Sequence, residues 1–238
     1  MILSNRTIKA LCNPGVKEHQ RYLQRLNEQY MLADPDTGSC LRPLNSMPMI
    51  EPFVDTQVRE DRDGDPITSY GLSYSGYDIR LCPEFRIFSK PNDGRVIDIK
   101  QKSHADFDEN VSEVVHGPSI VIPPGGLVLS STIEHFHIPT QVTGTCVGKS
   151  TLARSGLLVN VTPLEPGWHG HLVVELTNGT NLPLRVYAGE GIAQIVFHLL
   201  DRSVEGYQGV YQAQRGIVGS RVGKKYLQNE HTVSLEDI

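Results

Sequence analysis

The sequence lacks any apolar run near the roughly 18 residues that a membrane span requires, and its opening, MILSNRTIKAL, is too short and too polar to read as a secretory signal. Cysteine is scarce. Cys12, Cys40, Cys82 and Cys146 lie far apart and no pair has C-x-x-C spacing, so neither a zinc knuckle nor a redox dithiol is indicated. They read as reduced, mostly buried thiols of a cytoplasmic protein, with Cys40 the best candidate for exposure. Positive charge is not in excess either. Lys and Arg number 22 against 27 Asp and Glu, a net charge of −5, so the basic footprint of a duplex-binding protein is missing. A small anionic ligand stays open, because a few local cations suffice for it. Also absent are an H-x-E and a P-C-x-x-C, the signature of zinc-dependent nucleobase deaminases. There is no internal repeat and no low-complexity tract.

What is present points to a folded, strand-rich chain. Hydrophobic residues make up 39% of the 238, enough for a core in one large domain or two small ones. Glycine (22) and proline (15) are spread throughout. Many turns and short segments follow, which favours an all-β domain. The first 31 residues differ. Ser4 is placed to cap a short helix from about Asn5 to Cys12, stopped by Asn13-Pro14-Gly15, and residues 16–31 are rich in helix formers. Residues 32–70, rich in Asp, Pro and Gly, are expected to be irregular. REDRDGDP (59–66) reads as an exposed loop without the spacing or closing Glu of a calcium loop. From residue 77 strand signals come quickly: YDIRL, RIFSK, a strand–Pro-Pro-Gly-Gly–strand unit over 119–139, then QVTGTCV, GLLVNV, HLVVELT, LPLRVY and IAQIVFHLL. The tail after 201 is polar, glycine-rich and expected to be mobile at its end.

Four segments are candidates for chemistry. GTCVGKST (144–151) is one residue short of a P-loop and meets Gly156 too soon for a long helix. It still gathers Lys149, Ser150, Thr151 and Arg154, which suit either an anion site or a plain capped turn. Ser150 and Arg154, four apart, share a helical face. In GHLVVELTNGT, Leu172, Val174 and Leu176 point one way, and His171, Val173 and Glu175 the other. Glu175 is therefore either solvent-facing or a general acid/base raised by partial burial. EHFHIP and GWHGHL each hold an i, i+2 histidine pair (His135 and His137; His169 and His171), without a third ligand at supporting spacing. YQGVYQAQRG (207–216) suits a lid over a phosphorylated ligand or a disordered tail.

The block GKSTLARSGLLVNVTPLEPGWHGHLVVELTNGTNLPLRVYAGEGIAQIVF (148–197) closely resembles the dCTP deaminases, relatives of trimeric dUTPases. MIEPFVDTQVR (49–59) and SYGLSYSGYDIR (69–80) resemble the longer bacterial branch. MILSNRTI and YQAQRG resemble the family's two ends. The resemblance implies a β-clip fold, a distorted all-β barrel with short N-terminal helices. Residues 1–48 would pack on a core of 49–200, and 201–238 would form a nucleotide-closing tail. It implies a cytoplasmic homotrimer with active sites between subunits, acting on neither nucleic acid nor membrane. It implies zinc-independent hydrolysis of dCTP to dUTP and ammonia, with Mg²⁺ on the triphosphate and dTTP as a possible inhibitor.

The family's catalytic Glu, Ser and Arg fall on Glu175, Ser150 and Arg154. Its phosphate-binding basic residue falls on Lys149, followed by the Thr151 hydroxyl. The backbone contact to the attacking water is expected near Thr162 and Pro163. The tail residues correspond to Tyr211, Gln212 and Gln214. The lysine common before the tail tyrosine is Val210 here, which leaves Arg215 or a neighbour to meet the γ-phosphate. Bifunctional deaminase–dUTPases carry an Asp where this chain has Glu165. A bifunctional enzyme releasing dUMP and pyrophosphate, and a non-catalytic nucleotide-binding regulator on the same fold, are the alternatives.

Overall fold

The computed structural model describes residues 1–30, 32, 40–88 and 112–221. The chain opens with two helices. In α1 (Asn5–Cys12) the Ser4 side chain accepts a hydrogen bond from the Thr7 N–H at 3.4 Å, satisfying a donor that the first turn leaves unpaired. Helix α2 (Lys17–Tyr30) buries only Leu23, and its Tyr22 hydroxyl meets Thr7 Oγ1 at 2.9 Å. Both helices lie where the capping and composition signals place them. The N-terminus is woven into the main body. Leu3 N donates to Phe197 O, Leu199 N donates to Met1 O, and Ile8, Ala10 and Leu11 are fully buried in the same cluster as the strands.

Among the described residues twelve strands follow. They are β1 (Ile50–Glu51), β2 (Gln57–Glu60), β3 (Pro66–Leu72), β4 (Tyr77–Phe88), β5 (Ser112–His116), β6 (Ser119–Ile122), β7 (Leu127–His137), β8 (Val142–Gly148), β9 (Leu157–Asn160), β10 (His169–Asn178), β11 (Leu184–Tyr187) and β12 (Gly191–Leu199). Ten of them form one sheet with a spine β2-β3-β4-β7-β10-β9, joined by β1 on β7, β5 on β4, and β12 on both β4 and β8. Strands β6 and β11 form a separate pair. All pairings are antiparallel. The first half of β4 pairs with β3 and β12, and its second half with β5 and β7. One strand thus serves both parts of the sheet, which wrap a single core containing Tyr77, Phe85, Phe136 and Phe197, all fully buried.

Two expectations are corrected. YDIRL and the described part of RIFSK belong to one strand, β4. Its ladder with β7 is interrupted between Leu81 and Phe85, around Pro83, which has no N–H to give. Residues 89 and 90 of RIFSK lie outside the described residues, as does the expected mobile end beyond 221. Residues 32–70 are not irregular throughout, because β2 and β3 form a hairpin. Its turn is built by Asp61, whose Oδ1 accepts the N–H groups of Asp63 and Asp65 at 2.9 Å, with Gly64 at φ +88°. The strand–turn–strand expected over 119–139 is present as β6, a corner and β7, whose partners lie elsewhere. β6 pairs with β11, and Pro-Pro-Gly-Gly is a corner pinned by Gly125 N to Asn178 O at 3.0 Å.

Candidate active site

Strand β8 runs into a five-residue helix, α3 (Ser150–Arg154), too short for a P-loop helix. Lys149 is its N-cap. The ammonium of Lys149 turns inward rather than standing free. Nζ donates to Asp78 Oδ2 at 2.5 Å and to Ser69 Oγ at 3.1 Å. Asp78, on β4, is 1% exposed. It also accepts from Gln57 Nε2 (3.1 Å), from Ser69 Oγ (3.5 Å) and, on Oδ1, from Gln194 Nε2 (3.0 Å). Gln194 also donates to Ser73 Oγ. This network ties β2, β3, β4 and β12 to the start of α3. Ser150, Thr151 and Arg154 are exposed on the helix.

Strand β10 shows the expected alternation. Gly170, Leu172, Val174, Leu176 and Asn178 are buried, and His169, His171, Val173, Glu175 and Thr177 are partly open. Glu175 lies between Asn160 of β9 and Leu129 of β7. Its Oε2 accepts from Asn160 Nδ2 at 3.1 Å. Burial pushes the carboxyl above its ordinary value, opposed by the Asn160 bond. Burial first, and the Glu175 charge second, push the neighbouring Cys146 thiol up to about 12. Cys146 therefore stays protonated and unreactive near neutrality. Among the described residues no hydrogen bond or ion pair joins Ser150 or Arg154 to Glu175 within one chain.

Thr162 and Pro163 are exposed on the loop after β9, which is pinned by the reciprocal backbone bonds of Leu164 and Gly144. Glu165 is exposed too and lines a separate cleft of about 320 Å³ with Thr143, Val204 and Tyr207.

The tail lies on the start of β10 of its own chain. Trp168 Nε1 donates to Tyr211 O at 2.9 Å, Ala213 N to His169 O and His171 N to Gln214 O, both at 3.0 Å. Gln212 accepts from His169 N and donates to Gly167 O and Tyr207 O, while Gln214 Nε2 donates to His171 O. Both glutamine side chains thus anchor the tail. The Tyr211 hydroxyl accepts from Arg221 N, and Arg215 is exposed. Sequence reasoning missed Asn160, Gln57 and Gln194 as partners, because cross-strand neighbours leave no local signal. Asp78 was visible only as part of the GYDIR stretch. As the side chains stand, no group of three or more His, Cys, Asp or Glu among the described residues could hold a metal ion.

A family model described as dCTP deaminase-like matches residues 47–200. Curated proteins described as dCTP deaminase, from Acinetobacter baylyi and Albidiferax ferrireducens, are 44% and 46% identical over 173 residues, covering 71% of this chain and 88% of each relative. Among solved structures, a 2'-deoxycytidine 5'-triphosphate deaminase from Agrobacterium tumefaciens aligns with a TM-score of 0.44 at 18% identity, over 54% of this chain and 39% of that one. A dUTPase from Streptococcus mutans aligns at 0.36 and 16%, over 64% of this chain and 93% of that one.

Proposed function

The chain belongs to the dCTP deaminase family, and on that premise we propose that it hydrolyses dCTP to dUTP and ammonia through Glu175. Water adds to C4 of the cytosine, N3 takes a proton, and the C4–N bond breaks as ammonia leaves. A single carboxylate can remove the water's proton and pass it on, provided its pKa lies towards neutrality. The observation that carries this reading is Glu175 itself. It is a half-buried carboxyl on the open face of a rigid strand, raised by desolvation and fixed by Asn160.

Ser150 holds the attacking water, with the backbone near Thr162 and Pro163. Arg154 orients the groups and stabilises developing negative charge. Thr151 faces the phosphates, and Lys149, whose ammonium is bonded to Asp78 and Ser69, has its third N–H left for them. Gln212 and Gln214 hold the tail in register so that Tyr211 and Arg215 close over the nucleotide. Magnesium arrives with the triphosphate. The donor set supports that, since both oxygens of Asp78 already accept hydrogen bonds. The site is completed between subunits of a homotrimer. Ser150 and Arg154 are exposed and unbonded to Glu175 within one chain, and the neighbouring Val147 and Leu158 are 54% and 58% exposed. A cytoplasmic location is part of this reading; among the described residues no helix is long and apolar enough to cross a membrane.

The reaction is monofunctional in this reading, because Glu165 lines its own cleft. Incubation with dCTP and Mg²⁺, with ammonia, dUTP, dUMP and pyrophosphate quantified together, tests it. Ammonia matched by dUTP is expected, and Glu175→Gln lowers turnover by about 10²–10⁴-fold while dCTP still binds. Pyrophosphate would redirect attention to Glu165. dCTP binding without turnover in the wild type would make the protein a regulator.

A further inference from the structure

The sequence holds two i, i+2 histidine pairs that look unrelated. The fold brings them side by side. In the β7–β10 ladder, His137 is the direct partner of His169 and His135 that of His171. Residues two apart on a strand share a face, and direct cross-strand partners do too. The four rings therefore form a two-by-two grid on the open side of the strand pair. We infer that His135, His137, His169 and His171 form a binding site for a divalent transition cation of borderline softness, zinc first among them.

The spacing suits that chemistry. Ring centroids are 4.5 Å apart for His135 and His137, and 5.0 Å for His135 and His171. For His137–His169 and His135–His169 they are 6.2 and 6.3 Å. Three imidazoles on one tetrahedral zinc, each with Zn–N of about 2.0–2.1 Å, hold their centroids about 5 Å apart. In two of the rings Nδ1 is taken up by the backbone. His137 Nδ1 lies 3.0 Å from Pro48 O, and His171 Nδ1 lies 3.0 Å from the Thr132 carbonyl. A carbonyl only accepts, so Nδ1 is the donor in each contact and Nε2 is the nitrogen left to face a cation.

Two charges bear on the site. Arg215 of the tail acts on His135 and opposes a cation. Glu51, the β1 partner of His135, stands on the same face and carries the opposite charge. The rings do not yet converge: His135 stands at 82° to His171 and 49° to His137. Rotation about the side-chain torsions is what binding requires. A bound ion would staple β7 to β10 where the backbones of His169 and His171 anchor the tail. The inference does not depend on the deaminase reading.

The test uses the full chain, stripped with a chelator and titrated with Zn²⁺ by calorimetry, with Co²⁺ as a spectroscopic probe. Expected are one ion per chain, a tetrahedral cobalt spectrum, and a thermal midpoint that rises with Zn²⁺. Affinity should weaken as pH falls, since protons compete for the rings. His135→Gln, and His137→Gln with His171→Gln, should each weaken binding by at least about tenfold. His116→Gln, on β5, should leave binding unchanged, and circular dichroism verifies that each variant is folded. Absence of saturable uptake at up to about 100 μM Zn²⁺ overturns the inference. So does uptake that the folded histidine variants retain.

Discussion

Asp78→Asn removes one charge from the network under Lys149 and little else. The Asp78 side chain is 2% exposed and that of Lys149 is 14%. In the wild type, Oδ2 accepts from Lys149, Gln57 and Ser69, and Oδ1 from Gln194. Asparagine has one accepting oxygen. If that oxygen faces Lys149, its amide N–H groups meet the amide of Gln194, donor against donor. Gln194 must then flip and give up its bond to Ser73. Breaking a buried ion pair by neutralising one partner costs about 3–5 kcal/mol, because the remaining charge stays buried and unpaired.

For a chain of this size, about 2–4 °C per kcal/mol gives a drop of roughly 6–20 °C in Tm. The assay is thermal and urea unfolding at matched protein concentration, since association would shift both. Adding Lys149→Met to Asp78→Asn should recover more than half of the loss, because the uncompensated ammonium is gone. A loss below about 1 kcal/mol, the range of exposed ion pairs, would refute the reasoning. It would mean that Lys149 reaches water and that Asp78 does not hold it.

Glu175→Gln should raise stability near and above neutral pH. The folded carboxyl is raised by burial, so its contribution to stability is present below the unfolded value of about 4.3 and lost as pH rises through the folded value. The gain of the Gln variant in unfolding experiments should therefore vanish in acid; a gain independent of pH would contradict the burial argument. Ser4→Ala should cost about 0.5–2 kcal/mol by urea unfolding, because Ile8, Ala10 and Leu11 of the capped helix are in the core. Gly191→Ala should destabilise by at least about 1–3 kcal/mol in the same assay, since an added Cβ would overlap the Ser69 carbonyl oxygen.

Local signals were legible where the physics is local. Ser4 and Asn13-Pro14-Gly15 bracket α1 because capping and breaking act within a turn. The outward face of Glu175 follows from alternation alone. The β2–β3 hairpin was hidden because β2 has no buried residue and its turn is a run of aspartates, so no hydrophobic period marks it. Pairing partners were hidden for a different reason. Nothing near Glu175 in the chain announces Asn160, fifteen residues earlier. Nothing near Lys149 announces an aspartate seventy-one residues away that takes up its ammonium. Those contacts belong to register, which the whole sheet decides.

Register also explains how one strand pair carries two chemistries. His171 faces His135 and Val173 faces Ser131, so residues 132–134 of β7 stand against Leu172 alone. The irregularity adds two residues to β7, an even number. Strand faces alternate with period two, so the histidines and Glu175 stay on the same open face across it. Thr132 closes the gap. Its carbonyl receives the His171 ring, and its hydroxyl accepts from Leu172 N at 3.0 Å and donates to Glu134 O at 2.7 Å, within a side chain that is 1% exposed. A slip of one residue would turn Glu175 and His171 into the core and Leu172, Val174 and Leu176 out to water. The buried leucines and the Thr132 hydroxyl therefore hold the carboxyl and the histidine grid in place together.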